Sequence, residues 1–189
     1  MTDTIRESEN SENRIGRLTT HWVYGALPMA FLLILFAPFV DGVALPVYLS
    51  LPIYMLHQYE EHDADRFRIS INLMLGPKAR GLSHASVWII NVIFVWFALL
   101  AVFFAASANP GWGVVAAYLM AINALVHIVA AVRTRKYNSG LVTAIVLFLP
   151  LSAWIFAVQP ASLAQYLAGA ILIVGLHAAI AFRATLPAR

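Results

Sequence analysis

The sequence predicts an all-α, polytopic membrane bundle of six transmembrane helices with both termini cytoplasmic. Three observations predict it. Hydrophobic residues make up 61% of the 189 side chains and charged residues only 11%, against roughly 45–50% and about 25% in soluble domains. Six mostly apolar stretches of about 20 residues, the length that crosses a bilayer, cover 21–40, 43–62, 85–106, 111–132, 140–158 and 162–182. All 12 Lys and Arg residues fall on one side of this arrangement. Arg6, Arg14 and Arg17 precede the first span, and Arg66, Arg68, Lys78 and Arg80 follow the second. Arg133, Arg135 and Lys136 follow the fourth, and Arg183 and Arg189 follow the last. The joints on the opposite side carry none, and the positive-inside rule assigns the basic side to the cytoplasm.

Each element has a local reason. Residues 1–20 are polar and mixed in charge, which predicts a disordered cytoplasmic tail rather than a cleaved signal. The transmembrane domain runs over 21–182, and 183–189 form a cytoplasmic tail. Pro28 and Pro38 bend or end the first helix. Asp41-Gly42, Asn109-Pro110-Gly111, Asn138-Ser139-Gly140 and Gln159-Pro160 are turn signals between spans. Asn138-Ser139-Gly140 also reads as a helix start for the fifth span, with Thr143 one turn in, and closes over the cytoplasmic end of the bundle. The long joint, 63–84, mixes apolar and basic residues and reads as a short interfacial amphipathic helix before Gly76-Pro77, or as an ordinary loop. Trp22, Trp88, Trp112 and Trp154 suit interfacial anchors, as do His21 and His84. Small residues at Ala116-Ala117, Gly169-Ala170 and Ala178-Ala179 allow close helix packing within one chain or between chains; the oligomeric state is left open.

This composition excludes a soluble enzyme and a nucleic-acid partner. The partners it implies are the bilayer and a hydrophobic small-molecule or lipid substrate. The chain has no cysteine, so disulfides, thiolate nucleophiles and Cys-held metals are excluded.

The functional signal is a set of polar residues inside the spans, where ionisable groups are costly and are functional or paired. His57, Asn91, His127 and His177 each fall roughly six residues, about 9 Å, from the cytoplasmic boundary. Asn123 is a turn deeper, and Glu60 and Glu61 are nearer the surface, where Glu61 and His62 are also placed to be wet. His57, Glu60 and Glu61 stand at i, i+3 and i+4 and share a face, as do Asn123 and His127. Imidazole and carboxylate together suit Zn, Fe or Mn. A catalytic zinc takes three protein ligands and keeps one position open. The expected site is therefore a single divalent metal, Zn or Fe, held by His57, His127 and His177 with Glu61 as a further ligand. Glu60 or Glu61 serves as base, and Asn91 and Asn123 orient ligands or substrate. Each histidine alone also fits a plain interhelical hydrogen bond.

The expected activity is hydrolase-like, on a lipid or hydrophobic substrate reached from the cytoplasmic side. Two alternatives stay open. One is a metal-free acid–base isomerase or cyclase, by analogy with small membrane isomerases of the emopamil-binding type. The other is a proton-coupled carrier, although the polar groups stop in the inner half and no inverted repeat is evident.

His57-Gln58-Tyr59-Glu60-Glu61 spells H-x-x-E-E. With Asn123-x-x-x-His127 and the Arg-Lys-Tyr-Asn-Ser-Gly stretch at 135–140, it resembles the HXXEE family of small bacterial membrane proteins over roughly residues 20–182. The family pattern has Pro where this chain has Ser139, a change that bears on loop rigidity more than on chemistry. The resemblance implies His57, Glu60 and Glu61 as signature positions and the bacterial cytoplasmic membrane as the location. It implies no particular activity.

Overall fold

The computed structural model describes the backbone of residues 2–188 and the side chains of residues 14–188. Among these residues there are seven main helices and no strand. They are α1 (Thr2–Leu35), α2 (Ala44–His62), α3 (Arg66–Leu75), α4 (His84–Ala108), α5 (Pro110–Thr134), α6 (Leu141–Val158) and α7 (Leu163–Thr185). The helix α1 begins at Thr2 and runs through residues read from the sequence as a tail. No proline precedes Pro28 to stop it. Pro38 sits in a separate 3₁₀ turn, Ala37–Phe39.

Five helical stretches are long and apolar enough to cross a membrane: Arg14–Phe39, His84–Ala108, Pro110–Thr134, Leu141–Val158 and Leu163–Thr185. The remaining expected span, α2, has 19 residues but is too polar to join them. It carries Tyr48, Tyr54, Tyr59, His57, Gln58, Glu60, Glu61 and His62. The packing explains how such a helix is accommodated. It lies against α1, α4, α5 and α6, and ten of its residues are buried. Its neighbours, not α2 itself, present the apolar outer surface.

Close packing depends on small residues. Ala26 and Ala30 of α1 and Ala116, Ala117 and Ala124 of α5 are completely buried, which lets backbones approach. The Ala116-Ala117 pair therefore packs within the chain, while Ala178 and Ala179 are exposed. Gly169 of α7 packs on Tyr118 of α5, where an added Cβ would stand 3.1 Å from the ring.

Two helices contain π-helical stretches, Ile89–Trp96 in α4 and Ala144–Phe148 in α6. Such wide turns concentrate at functional sites. Here both lie beside the polar end of α2. The 63–84 joint contains the expected short helix, α3. Asn72 ties α3 to the following loop by donating to the Leu82 carbonyl at 2.9 Å and accepting from Leu82 N at 2.7 Å. That loop also pairs with the chain after α7. Arg80 N donates to Leu186 O, Gly81 N to Ala184 O, and Ala188 N to Lys78 O.

Candidate metal centre

The last two turns of α2 deliver His57 and Glu61, and α5 delivers His127. One ligand atom from each lies within 4.8 Å of the others, and all three residues are buried. Glu61 Oε1 is 3.3 Å from His127 Nε2, and Glu61 Oε2 is 3.6 Å from His57 Nε2. Two donors bound tetrahedrally to a zinc at about 2.0–2.1 Å stand about 3.4 Å apart. The spacing fits one ion.

The outer nitrogens set the direction of both rings. Thr143 Oγ1 has a single proton, which it donates to Glu60 Oε2 at 2.5 Å. The 2.8 Å contact between His57 Nδ1 and Thr143 Oγ1 therefore places the proton on Nδ1. Asn138 donates its Nδ2 to the His127 carbonyl at 3.0 Å. Its Oδ1 is thus the acceptor from His127 Nδ1 at 2.6 Å. Each neutral imidazole then presents an Nε2 lone pair to the Glu61 carboxylate. His57 Nε2 is buried without a hydrogen-bond partner. Lone pairs converging in this way could hold a metal ion, and Nδ1–H held by a neighbouring oxygen is the usual support of a metal-bound histidine.

The adjacent glutamates do different work. Successive residues on a helix diverge by about 100°, so Glu61 faces the histidines while Glu60 faces the start of α6. Glu60 accepts from Val142 N at 3.1 Å, Thr143 N at 2.7 Å and Tyr137 OH at 2.7 Å. It occupies the place of an N-cap side chain and satisfies two of the orphan amides there. The Asn138-Ser139-Gly140 turn was expected to start that helix. No local side chain caps it, and Asn138 holds His127 instead.

Gly140 makes the close approach possible. Its φ is +94°, and an added Cβ would meet His127 Cε1 at 2.7 Å and His57 Cε1 at 2.9 Å. Phe148 covers His57 from the π-helical stretch, with ring centroids 4.2 Å apart. His62 and Glu61 were placed at a wet boundary by sequence, yet both are buried. His62 Nε2 stands 3.1 Å from Glu61 Oε2, and its ring packs between Trp22 and Phe67.

The other predicted residues lie around this centre rather than in it. His177 is outside the three-residue group, and its Nδ1 donates to the Ile173 carbonyl at 2.9 Å. Asn91 accepts from Gln58 Nε2 at 2.9 Å and donates to Val87 O. Asn123 donates to Tyr54 OH at 3.2 Å, and its Oδ1 is buried without a partner. All three line a cavity of about 310 Å³ shared with Tyr54, Glu61 and His127, whose remaining wall is mostly apolar side chains of α3, α4, α5 and α7. Sequence reasoning missed Gln58, which also accepts from Trp96 Nε1 at 2.7 Å, and Phe148. A glutamine next to His57, inside an expected span, was the available signal for the first. Nothing local marked the second. His84, expected at an interface, contacts Asp65 at 3.1 Å.

No curated protein and no solved structure matches this chain. The family described as "Protein of unknown function with HXXEE motif" matches residues 48–155, more than half the chain, including most of α2, all of α3, α4 and α5, and most of α6. Both histidines of the centre, Glu60 and Glu61, and the Thr143 and Asn138 that orient the rings fall within that match. The chain belongs to the HXXEE-motif family.

Proposed function

We propose that the protein is a membrane-embedded, metal-dependent enzyme, hydrolase-like, acting on a lipid or other hydrophobic substrate from the cytoplasmic side. The observation that carries this reading is the buried His57 Nε2 without a hydrogen-bond partner, facing Glu61. His57, His127 and Glu61 are the ligands of one divalent ion, Zn or Fe. Two imidazoles and a carboxylate with an open position suit either. Such an ion supplies Lewis-acid polarisation and activation of water near neutral pH. Thr143 and Asn138 hold the two rings in the ligating tautomer, and Glu60 positions Thr143. The mostly apolar cavity excludes bulk water and accepts the substrate's apolar part, with Asn123 and His177 offering polar contacts beside it.

The reading places α2 as a sixth span, shielded from lipid by its neighbours, and both termini in the cytoplasm of a bacterium. The one-sided Lys and Arg distribution supports that orientation. The second reading is a metal-free acid–base site, favoured by the 3.3 Å approach of His127 to Glu61, which a shared proton would also stabilise.

Elemental analysis of the detergent-purified protein separates the two. The expected result is about one Zn or Fe per chain, lost in His57→Ala and in His127→Ala and retained in His177→Ala. A folded wild type that carries no metal, and takes up none when Zn, Fe or Mn is added, would overturn the metal reading.

A further inference from the structure

On the far side of α3 from the metal centre lies a second concavity, of about 490 Å³, lined by α3 and the loop after it. Its polar lining is Arg68, Asn72 and Arg80, with no acidic residue. The nearby carboxylate, Asp65, is already engaged by Arg68 and His84. Arg80 is half-buried, and among the described residues its guanidinium has no carboxylate partner. Arg66 is paired with Asp63, so the net positive charge at the groove comes from Arg80 and from Lys78, which adjoins it in sequence.

The groove is held in shape. Asn72 clamps Leu82 through both of its amide atoms. Backbone bonds join residues 78–81 to 184–188. Gly81 has φ +65°, and a Cβ there would meet Asn72 Oδ1 at 2.5 Å. Immediately beside this basic concavity α3 exposes apolar side chains: Ile69 at 46%, Leu73 at 78% and Met74 at 66%. A soluble anion would neutralise the arginine and leave those side chains in water. An anionic amphiphile answers both features, with its phosphate on the guanidinium and its chains along Leu73 and Met74.

We infer that the groove of Arg68, Asn72 and Arg80 binds the phosphate of an anionic phospholipid in the leaflet on which α3 lies. Arg80 supplies the forked donor, which suits a phosphate better than an ammonium does. The site shares α3 with the cavity wall but none of the metal ligands. It depends on the membrane seat proposed above and not on the metal.

The test uses the full chain in nanodiscs of phosphatidylglycerol and phosphatidylcholine in equal amounts, released into native mass spectrometry to count retained lipids. Wild type is expected to retain phosphatidylglycerol in preference to phosphatidylcholine. Arg80→Gln should reduce that preference about fivefold or more, the effect of removing one well-placed cation at a membrane surface. Arg80→Lys should retain part of it. The exposed Arg133→Gln, away from the groove, should leave it unchanged. Equal losses in Arg80→Gln and Arg133→Gln, or none in either, would overturn the proposal. So would displacement of the lipid by millimolar inorganic phosphate, which would mark a soluble anion as the ligand. If Arg80→Gln does not fold, a partial loss in Arg80→Lys alongside an unchanged Arg133→Gln supports the site, and full retention by Arg80→Lys, or no preference in wild type, refutes it. Metal content measured on the same samples should be the same in all variants, so failure here and failure of the metal reading are separable.

Discussion

Gly140 carries more of the centre than any other residue without a functional group. A side chain there meets two imidazoles at once and sits at positive φ. Gly140→Ala should cost about 1–3 kcal/mol from backbone strain alone and should spread the two rings apart. Thermal unfolding in detergent, paired with metal analysis, checks both effects. Thr143 is subtler. Thr143→Val keeps the shape but removes the hydroxyl between His57 and Glu60, so metal affinity should fall about 10–100-fold. Thr143→Ser should restore most of it, with chelator competition as the measure. His57 and His127 were legible in the sequence because ionisable groups at one helical depth are rare in apolar spans, and Glu61 through its i, i+4 spacing from His57. The division of labour between Glu60 and Glu61 was not. It depends on where the start of α6 falls, a contact between residues more than eighty positions apart. His177 looked equivalent to the other histidines by depth, but depth gives no rotation about the axis. That rotation leaves His177 on the cavity wall, outside the three-residue group, where its Nδ1 bonds a carbonyl of its own helix.

Among elements, α6 depends on another helix for its start. An anionic oxygen at a helix N-terminus contributes typically 0.3–1 kcal/mol, up to about 2 kcal/mol when partly buried. Glu60→Gln should therefore loosen the first turn of α6 while leaving Glu61 in place. Faster hydrogen exchange at Val142 and Thr143 is the expected signature. The Arg68–Asp65–His84 cluster gives α3 a pH dependence. Burial raises the Asp65 carboxyl, but the Arg68 and His84 contacts outweigh it and hold the group below the ordinary carboxylate value. The folded value is thus the depressed one. The contribution is present above the unfolded value and is lost as pH falls through the folded one. Exchange over Arg66–Leu75 should accelerate on acidification below about pH 4, and Asp65→Asn should already show that looseness at neutral pH. The capping box of Ser83 and Ser86 that starts α4 is independent of this cluster's charge.

For the whole molecule, the five apolar helices were legible from length and hydropathy, since each stays long and apolar enough to cross a membrane despite isolated polar residues such as Asn91, His127 and His177. The place of α2 was harder to read. Its apolar content falls short because its neighbours shield it, and shielding is a property of the assembled bundle. The chain has no cysteine, so single cysteines report orientation without background. Lys136→Cys should react with an impermeant maleimide only after the inner face is exposed. Ser107→Cys should react in intact cells, and the reverse pattern would invert the proposed topology. The two π-helical stretches have a further consequence. A wide turn is an extra residue accommodated in a helix, and removing one residue turns the remainder by about 100°. In an ordinary stretch of the bundle, a single deletion would rotate buried side chains out of the interior. Within Ile89–Trp96 or Ala144–Phe148 the same deletion would relax the helix to its common pitch. These stretches are therefore where the chain should best tolerate changes in length, and where relatives of different length should place their gaps.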